Sequence, residues 1–282
     1  MNLRIYFLAL MLLIVPSFSY ATEETSLEAL YKDFNNTLLH FDDGKPYSEY
    51  CQDISKLMEL AVKIIEKNPG SYEAYDTLLG LPSEFNLISE EPRQYYKKLK
   101  EECYADLSDV NKNMAAKIVF MRITYLWGEF AHCDEDICKS CVDNLKKMKN
   151  ECIDKNYAAL ATASLFDFYT TGLDKNDYRK EFLEKFPKHP AVCDVKLNIA
   201  FDNYENKKYR ECIEEINKLL NEYKNDKNFE IFELPCYHGL GLCYIELNDI
   251  ETARKYLDLI LQKAPESMEY KLFKKLIERE SK

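Results

Sequence analysis

Four cysteines and one histidine in the middle of the chain have the side chains and the spacing that could bind a metal. Cys133, Cys138 and Cys141 follow a C-x4-C-x2-C pattern, with His132 beside the first and Cys152 downstream. Such spacing is typical of plant-type iron–sulfur clusters or of zinc sites. The apolar pattern, however, predicts one helix from Cys138 to Cys152, which would separate Cys141 from Cys152 by ~16 Å along its axis. Because one metal cannot reach both, disulfide bonding is the favoured interpretation, and a redox or metal-binding protein is the alternative.

The chain contains ten cysteines, an even number, and its first residues predict export to a compartment where thiols pair. The candidate disulfide partners are Cys133 with Cys138 or Cys141, Cys212 with Cys243, Cys193 with Cys236, and Cys51 with Cys103. Cys212 and Cys243 would lie close together if neighbouring helices pack antiparallel, although both also stand where a simple buried thiol would fit. The connectivity itself does not follow from the sequence.

Other residues that could do chemistry are scattered. The sequence contains no glycine-rich phosphate loop, no H-E-x-x-H zinc motif and no G-x-S-x-G nucleophile motif. The four histidines are His40, His132, His189 and His238. His189, between Lys188 and Pro190, is interpreted as a residue of a joint between helices. We therefore expect a non-enzymatic protein with no catalytic residue, no metal and no cofactor.

The first 21 residues have the pattern of a cleaved signal peptide. Residues 1–4 form a short start with the basic residue Arg4, residues 5–15 are almost wholly apolar, and small residues at Ser19 and Ala21 suit a signal peptidase. The apolar run is shorter than the roughly 20 residues of a membrane span, and no second run follows. The sequence thus predicts a periplasmic or secreted protein without stable membrane insertion. Its formal net charge of -11 disfavours nucleic acid as a partner.

Apolar residues recur at helical spacing from about Leu27 onward, and seven glycines in the whole chain are few for tight β-hairpins. One apolar pattern starts at four places, which are Ile54, Cys138, Tyr209 and Ile250. The last two starts are 41 residues apart. Pro69 and Pro265 end the first and last of these helices, and Pro235 is expected in the opening turn of another. The predicted class is all-α.

The predicted helices fall into three regions, which differ in how regular their apolar pattern is. Residues 22–110 form an N-terminal helical-repeat region, and residues 111–190 form an irregular middle region with the cysteine cluster. Residues 191–282 contain the clearest hairpin units and end in a capping helix with one solvated face.

Six residues between 234 and 265 stand at the places that define one helical-hairpin repeat. They are Tyr237, Leu240, Gly241, Tyr244, Ala253 and Pro265. A tetratricopeptide repeat has there an aromatic, a Leu-Gly pair, a Tyr, a small residue at the helix crossing and a closing Pro, so the segment resembles that family. A weaker match begins near Cys193, with Ala200 and Cys212 at the small-residue places. The resemblance implies an α-solenoid of stacked hairpins that winds as a right-handed superhelix.

The same resemblance implies a concave groove that binds extended peptides or partner helices. On its register the groove residues are Leu197, Phe201, Tyr204, His238, Leu242 and Ile245. The surface would be apolar and aromatic, and the Lys/Asn/Arg clamp with which some family members hold a C-terminal carboxylate is missing. The alternative is that these side chains only pack neighbouring helices. The predicted function is an exported scaffold that binds a protein or peptide partner, whose identity and oligomeric state the sequence leaves open.

Overall fold

The computed structural model describes residues 25–39, 47–81, 90–103, 106–130, 135–166, 175–225, 229–265, 270 and 273–277. Within these ranges the regular secondary structure is helical, and no strand occurs. The predicted all-α class is therefore confirmed. The predicted signal peptide, residues 1–21, lies outside the described residues.

Twelve helices are defined in the described part of the chain. They are α1 (Leu27–Leu39), α2 (Tyr47–Lys67), α3 (Tyr72–Gly80), α4 (Glu90–Cys103), α5 (Met114–Phe130), α6 (Glu135–Glu151), α7 (Lys155–Phe166), α8 (Lys175–Lys185), α9 (Val192–Glu205), α10 (Tyr209–Tyr223), α11 (Phe229–Glu246) and α12 (Ile250–Lys263). Residues 273–277 are also helical.

The chain divides into two compact units between Pro190 and Ala191. The first unit contains α1 to α8, so the predicted regions 22–110 and 111–190 both lie within it. Most helices that follow one another in sequence pack together, but α2 also packs on α4 and α5, and α3 packs on α7. The apolar stripe of α2 is wholly buried at Ile54, Leu57, Met58, Ala61, Ile64 and Ile65. Helix α2 is thus the centre of the first unit.

The second unit contains α9 to α12, in which every helix packs on the next and α11 also packs on α9. Contact between the first helices of successive hairpins is the arrangement by which stacked hairpins bury their apolar faces. Two apolar clusters form the core. One contains residues of α9, α10 and α11, and the other contains residues of α11, α12 and the helical residues 273–277.

The joint between α9 and α10 is a Schellman turn. Lys207 has a positive φ of 61°, which is the left-handed conformation that usually follows the last helical residue. The Lys207 N–H donates to the carbonyl of Tyr204 at 2.9 Å, and the Lys208 N–H donates to that of Asn203 at 2.8 Å. These two bonds satisfy carbonyls that the end of the helix would otherwise leave without a partner.

The joint between α11 and α12 repeats this turn with every residue number shifted by 41. Asn248 has a φ of 59°. Its N–H donates to Ile245 O at 2.9 Å, and the Asp249 N–H donates to Tyr244 O, also at 2.9 Å. Asp249 then caps α12 by accepting a hydrogen bond from the backbone N–H of Thr252. The 41-residue spacing of the apolar stripes thus recurs in the backbone of the turns.

Helix α11 begins earlier than the sequence indicated. Pro235, expected in its opening turn, lies inside the helix because α11 starts at Phe229. A proline there removes one backbone hydrogen bond and crowds the carbonyl four residues earlier. The added turn carries Phe232 and Leu234, both buried. Burial of these two side chains offsets the local cost of the proline.

Two glycines allow other elements to approach α11 closely. A Cβ atom on Gly239 would lie 2.6 Å from Phe201 Cε1 and 3.0 Å from Ile216 Cδ1. A Cβ atom on Gly241 would overlap the ring of Phe273. Both positions therefore lack a side chain because other helical residues occupy that space.

The joint between α9 and α10 can be tested by substitution of its left-handed residue, Lys207. Lys207→Gly should raise the free energy of unfolding by up to about 1 kcal/mol, since glycine adopts a positive φ without steric cost. The matched variant Asn248→Gly should gain less free energy of unfolding, because asparagine tolerates this conformation better than lysine does. Urea unfolding followed by circular dichroism measures both. A loss of stability in Lys207→Gly would show that the turn is not formed as described.

Candidate functional site

The residues of the predicted groove are mostly covered. Four of them have small exposed fractions, which are 1% for Leu197, 8% for Phe201, 8% for Leu242 and 7% for Ile245. Tyr204 and His238 are partly exposed. The groove prediction required all six on an open face, so the structure differs from it at four positions.

Residues near the C-terminus account for part of this burial. The ring of Phe273 meets the ring of His238 edge-on at 5.5 Å and lies directly over Gly241. Phe273 and Ile277 belong to the same apolar cluster as Leu242 and Ile245. Residues 273–277 thus cover the face of α11 on which half of the groove was predicted. The side chains of Leu242 and Ile245 pack helices together there.

Tyr204 takes part in a polar contact that joins three helices. The hydroxyls of Tyr204 and Tyr209 donate to the two carboxylate oxygens of Glu246, at 3.4 and 3.2 Å. The two rings lie 5.5 Å apart. Burial and the Glu246 charge raise the pKa of both tyrosines, so each hydroxyl keeps its proton. The contact links α9 and α10 to the end of α11, and sequence reasoning had not connected Glu246 with either tyrosine.

Five of the six residues that carry the repeat resemblance lie at helix contacts. Leu240 and Ala253 are fully buried. The rings of Tyr237 and Tyr244 both pack against Tyr256, with centroids 6.1 and 5.8 Å away. Pro265 is exposed, two residues after the end of α12 at Lys263. These placements are compatible with the packing roles that the resemblance implied.

The cysteine cluster is described only in part. Cys133 lies outside the described residues, as do the side chains of Cys138 and Cys51. Cys141 is buried on α6, and Cys152 directly follows that helix, where its thiol donates to Met114 Sδ at 3.4 Å. No group of three potential metal ligands occurs among the residues that the structure describes.

Cys212 and Cys243 are brought together as the sequence predicted for neighbouring helices. Both are fully buried in the same apolar cluster, and their thiols form a hydrogen bond. This bond lowers the pKa of Cys212 and raises that of Cys243. A disulfide between them stays a prediction.

The other predicted cysteine partners are buried as well. Burial, followed by the charge of a Cys193 thiolate, raises the pKa of Cys236 well above its ordinary value. Burial also raises the pKa of Cys103 to about 11. Thiols with raised pKa values are poor nucleophiles near neutral pH, which argues for structural roles at Cys103 and Cys236.

A cationic cavity of about 330 Å³, which sequence reasoning missed, lies in the first unit. Gly70, the first turn of α7 and the segment after α8 form its walls. The lining residues are Gly70, Lys155, Asn156, Ala159, Lys185, Phe186, Pro187, Lys188, His189 and Pro190. Three lysines therefore line one cavity in a chain whose net charge is -11. The available signal was the segment Lys188-His189-Pro190, which had been interpreted only as a joint.

His189 belongs to both this cavity and the apolar core of the first unit. Its backbone N–H donates to Phe186 O at 3.0 Å, and its ring meets Phe182 edge-on at 5.3 Å. Burial lowers the pKa of His189 to about 4, so the imidazole is neutral at pH 7. The prediction that His189 is a joint residue agrees with its position after α8.

Comparisons of the chain with protein-family models, with curated proteins and with solved structures find no match. The resemblance to a tetratricopeptide repeat therefore rests on the residues of this chain alone. In the described part of the chain, none of the helices combines the length and the apolar character needed to cross a membrane.

The burial of Phe201 can be tested by truncation. Phe201→Ala should lower the free energy of unfolding by about 3–5 kcal/mol, because the ring packs on Gly239 in the core. Leu261→Ala is a matched control, since Leu261 is 38% exposed and its truncation should cost far less. Chemical denaturation measures both. Equal small losses would place Phe201 on an open surface, as the groove prediction had it.

Two half-buried histidines predict that stability depends on pH. Burial lowers the pKa of His189 and His238 to about 4, whereas an unfolded histidine titrates near 6.5. The unfolded chain therefore takes up protons first, and stability falls as the pH decreases from about 6.5 to about 4. Between pH 7 and pH 5 the free energy of unfolding should fall by about 2 kcal/mol for each histidine. Urea unfolding at both pH values measures this difference.

The control is the double variant His189→Gln, His238→Gln, which should lose most of the pH dependence in this interval. A wild-type protein equally stable at pH 7 and pH 5 would contradict the prediction.

Proposed function

We propose that this protein is a helical-repeat scaffold of the tetratricopeptide type, which binds a protein or peptide partner and catalyses no reaction. The observation that carries the proposal is the repeated joint at Lys207 and Asn248, with the same backbone hydrogen bonds shifted by 41 residues. Repetition of one hairpin unit is the mark of architectures that present extended surfaces for binding.

The packing of the second unit supports this proposal. Helix α11 packs on both α9 and α10, so the first helix of one hairpin contacts both helices of the preceding hairpin. Stacked in this way, successive first helices line one side of a solenoid. In the proposed scaffold the stack has a right-handed superhelical twist, and its groove side is the side of α9 and α11.

Among the six predicted groove residues, we assign direct contact with the partner to Tyr204 and His238. Both are partly exposed, whereas the other four lie in the core and hold α9 and α11 in place. The Tyr204 hydroxyl already faces the carboxylate of Glu246. Such a rim of aromatic and polar atoms around a packed apolar centre is typical of protein-binding surfaces.

Export and bracing by disulfides are part of the same proposal. The support for export is the pattern of residues 1–21, and the support for bracing is the contact between Cys212 and Cys243. In an oxidising compartment a protein or small-molecule disulfide would accept the two electrons, and both thiols would lose their protons as the new bond forms.

Site-specific crosslinking in the native host tests the proposed binding surface. A photoreactive phenylalanine analogue replaces Tyr204 or, separately, His238, and an exposed residue on α10, Glu214, carries it in the control. We expect the same crosslinked partner at Tyr204 and His238 and its absence at Glu214. Identical products at all three positions, or no product at the first two, would refute the assignment.

The same preparation tests export and bracing. The mass of the purified protein should correspond to loss of residues 1–21, and it should increase on reduction if disulfides are present. A mass that includes residues 1–21, together with no change on reduction, would remove this part of the proposal without affecting the crosslinking result.

A further inference from the structure

We propose that the cationic cavity of the first unit binds a small organic anion, in which a carboxylate or phosphate group is attached to an apolar portion. This inference goes beyond the scaffold function, because the cavity lies in the other compact unit and involves none of the predicted groove residues.

The positive charge of the cavity is only partly neutralised by the protein. Lys185 forms an ion pair with Glu181 at 2.5 Å, and the same carboxylate accepts a bond from Lys149 at 2.6 Å. In the part of the chain that the structure describes, neither Lys155 nor Lys188 forms an ion pair. Two ammonium groups therefore remain to meet an anionic group of a ligand.

The first turn of α7 adds to this positive potential. Lys155 is the first residue of the helix, and the N-terminal end of a helix carries a partial positive charge. Asp154, just before the helix, offsets part of this potential, since its carboxylate accepts a bond from the Asn156 N–H at 2.8 Å. The two lysine side chains therefore supply most of the positive charge at this end of the cavity.

Gly70 lines the cavity beside Asn156. A Cβ atom at this position would lie 2.6 Å from Asn156 Oδ1, so any side chain would displace the Asn156 amide. With glycine there, the Asn156 side chain lies against the main chain at the edge of the cavity. An amide can donate to a carboxylate or phosphate oxygen and adds a directional contact to the charge of the lysines.

The remaining walls are apolar. Phe186, Pro187, Pro190 and Ala159 line the cavity. The neutral ring of His189 completes this lining. Small-molecule sites typically combine such apolar walls with a few polar groups that orient the ligand. The chemistry of the cavity therefore fits an anion with an apolar portion better than a fully hydrated inorganic ion.

The size and overall charge exclude a large polyanion. A volume of about 330 Å³ is at the lower end of the roughly 300–1,000 Å³ found for small-molecule sites. A nucleic acid would also be repelled by the chain as a whole, whose net charge is -11. The ligand is thus a small molecule.

Binding to the full chain can be measured by isothermal titration calorimetry with four defined probes. These are 3-phenylpropanoate, phenyl phosphate, the uncharged 3-phenylpropanamide, and inorganic phosphate. We expect both aromatic anions to bind at least tenfold more tightly than the amide. Their affinity should fall as the NaCl concentration is raised. The ratio between the carboxylate and the phosphate probe identifies the anionic group. Tighter binding by an aromatic anion than by inorganic phosphate tests the apolar walls.

Lysine variants locate the binding. The double variant Lys155→Gln, Lys188→Gln should bind the preferred anion about tenfold more weakly. Lys97→Gln together with Lys139→Gln, which removes two exposed lysines of the same unit outside the cavity, should leave affinity unchanged. All four lysines are exposed, so circular dichroism should show an unchanged fold. Acetylation measured by mass spectrometry should be slowed by the bound anion at Lys155 and Lys188, but not at Lys97.

Three results would overturn the proposal. One is binding of the amide as tight as that of both anions. Another is full affinity in the Lys155→Gln, Lys188→Gln variant. The third is an equal loss of affinity in the control variant, which would indicate a non-specific effect of surface charge.

Discussion

Helix α11 is apolar on almost every side, and the second unit depends on covering it. Leu234, Leu242 and Ile245 lie in one core cluster, whereas Cys236 and Leu240 lie in the other. A helix that is apolar all round is stable in water only when neighbours bury it from several directions. Here α9, α10, α12 and the capping residues 273–277 do so. Gly239 lets α9 and α10 approach closely, and Gly241 does the same for Phe273 of the capping residues.

This requirement explains why the predicted groove is mostly filled. The repeat register assigned Leu242 and Ile245 to an open face, because in a long array the corresponding side chains line the concave surface. Here Phe273, which follows α12 in the chain, packs beside His238 on that face. The packing of a neighbouring segment, rather than residue type, decides whether such a side chain is open or covered.

Elements with strong apolar periodicity and clear ends could be predicted from the sequence. The predicted pattern starts at Tyr209 and Ile250 are the first residues of α10 and α12, because both helices combine a regular stripe with polar flanking residues. Pro235 misled the prediction of α11, since a local rule placed it at a helix start and burial of Phe232 and Leu234 extended the helix beyond it. Local preference decides a boundary only where tertiary packing does not compete with it.

The cationic cavity is of a kind that sequence patterns do not reveal. Gly70 is far from Lys155 and Lys188 in sequence, and only the packing of α3 on α7 and of α7 on α8 brings these segments together. Lysines are also common along the chain, so no single one stands out. The Cys212–Cys243 contact is different, because a helix start and a helix end at hairpin spacing are neighbours by local geometry alone.

The complete burial of that cysteine pair limits when a bridge between them can form. A disulfide donor must contact the attacking sulfur, and neither Cys212 nor Cys243 is exposed in the folded unit. The hydrogen bond that favours the Cys212 thiolate therefore does not by itself make the folded protein oxidisable. A bridge would have to form before α11 is fully packed, while a donor can still reach both sulfurs. It would then fasten α10 to the helix on which the unit depends, and closing a loop of about 30 residues could stabilise the unit by ~3–4 kcal/mol.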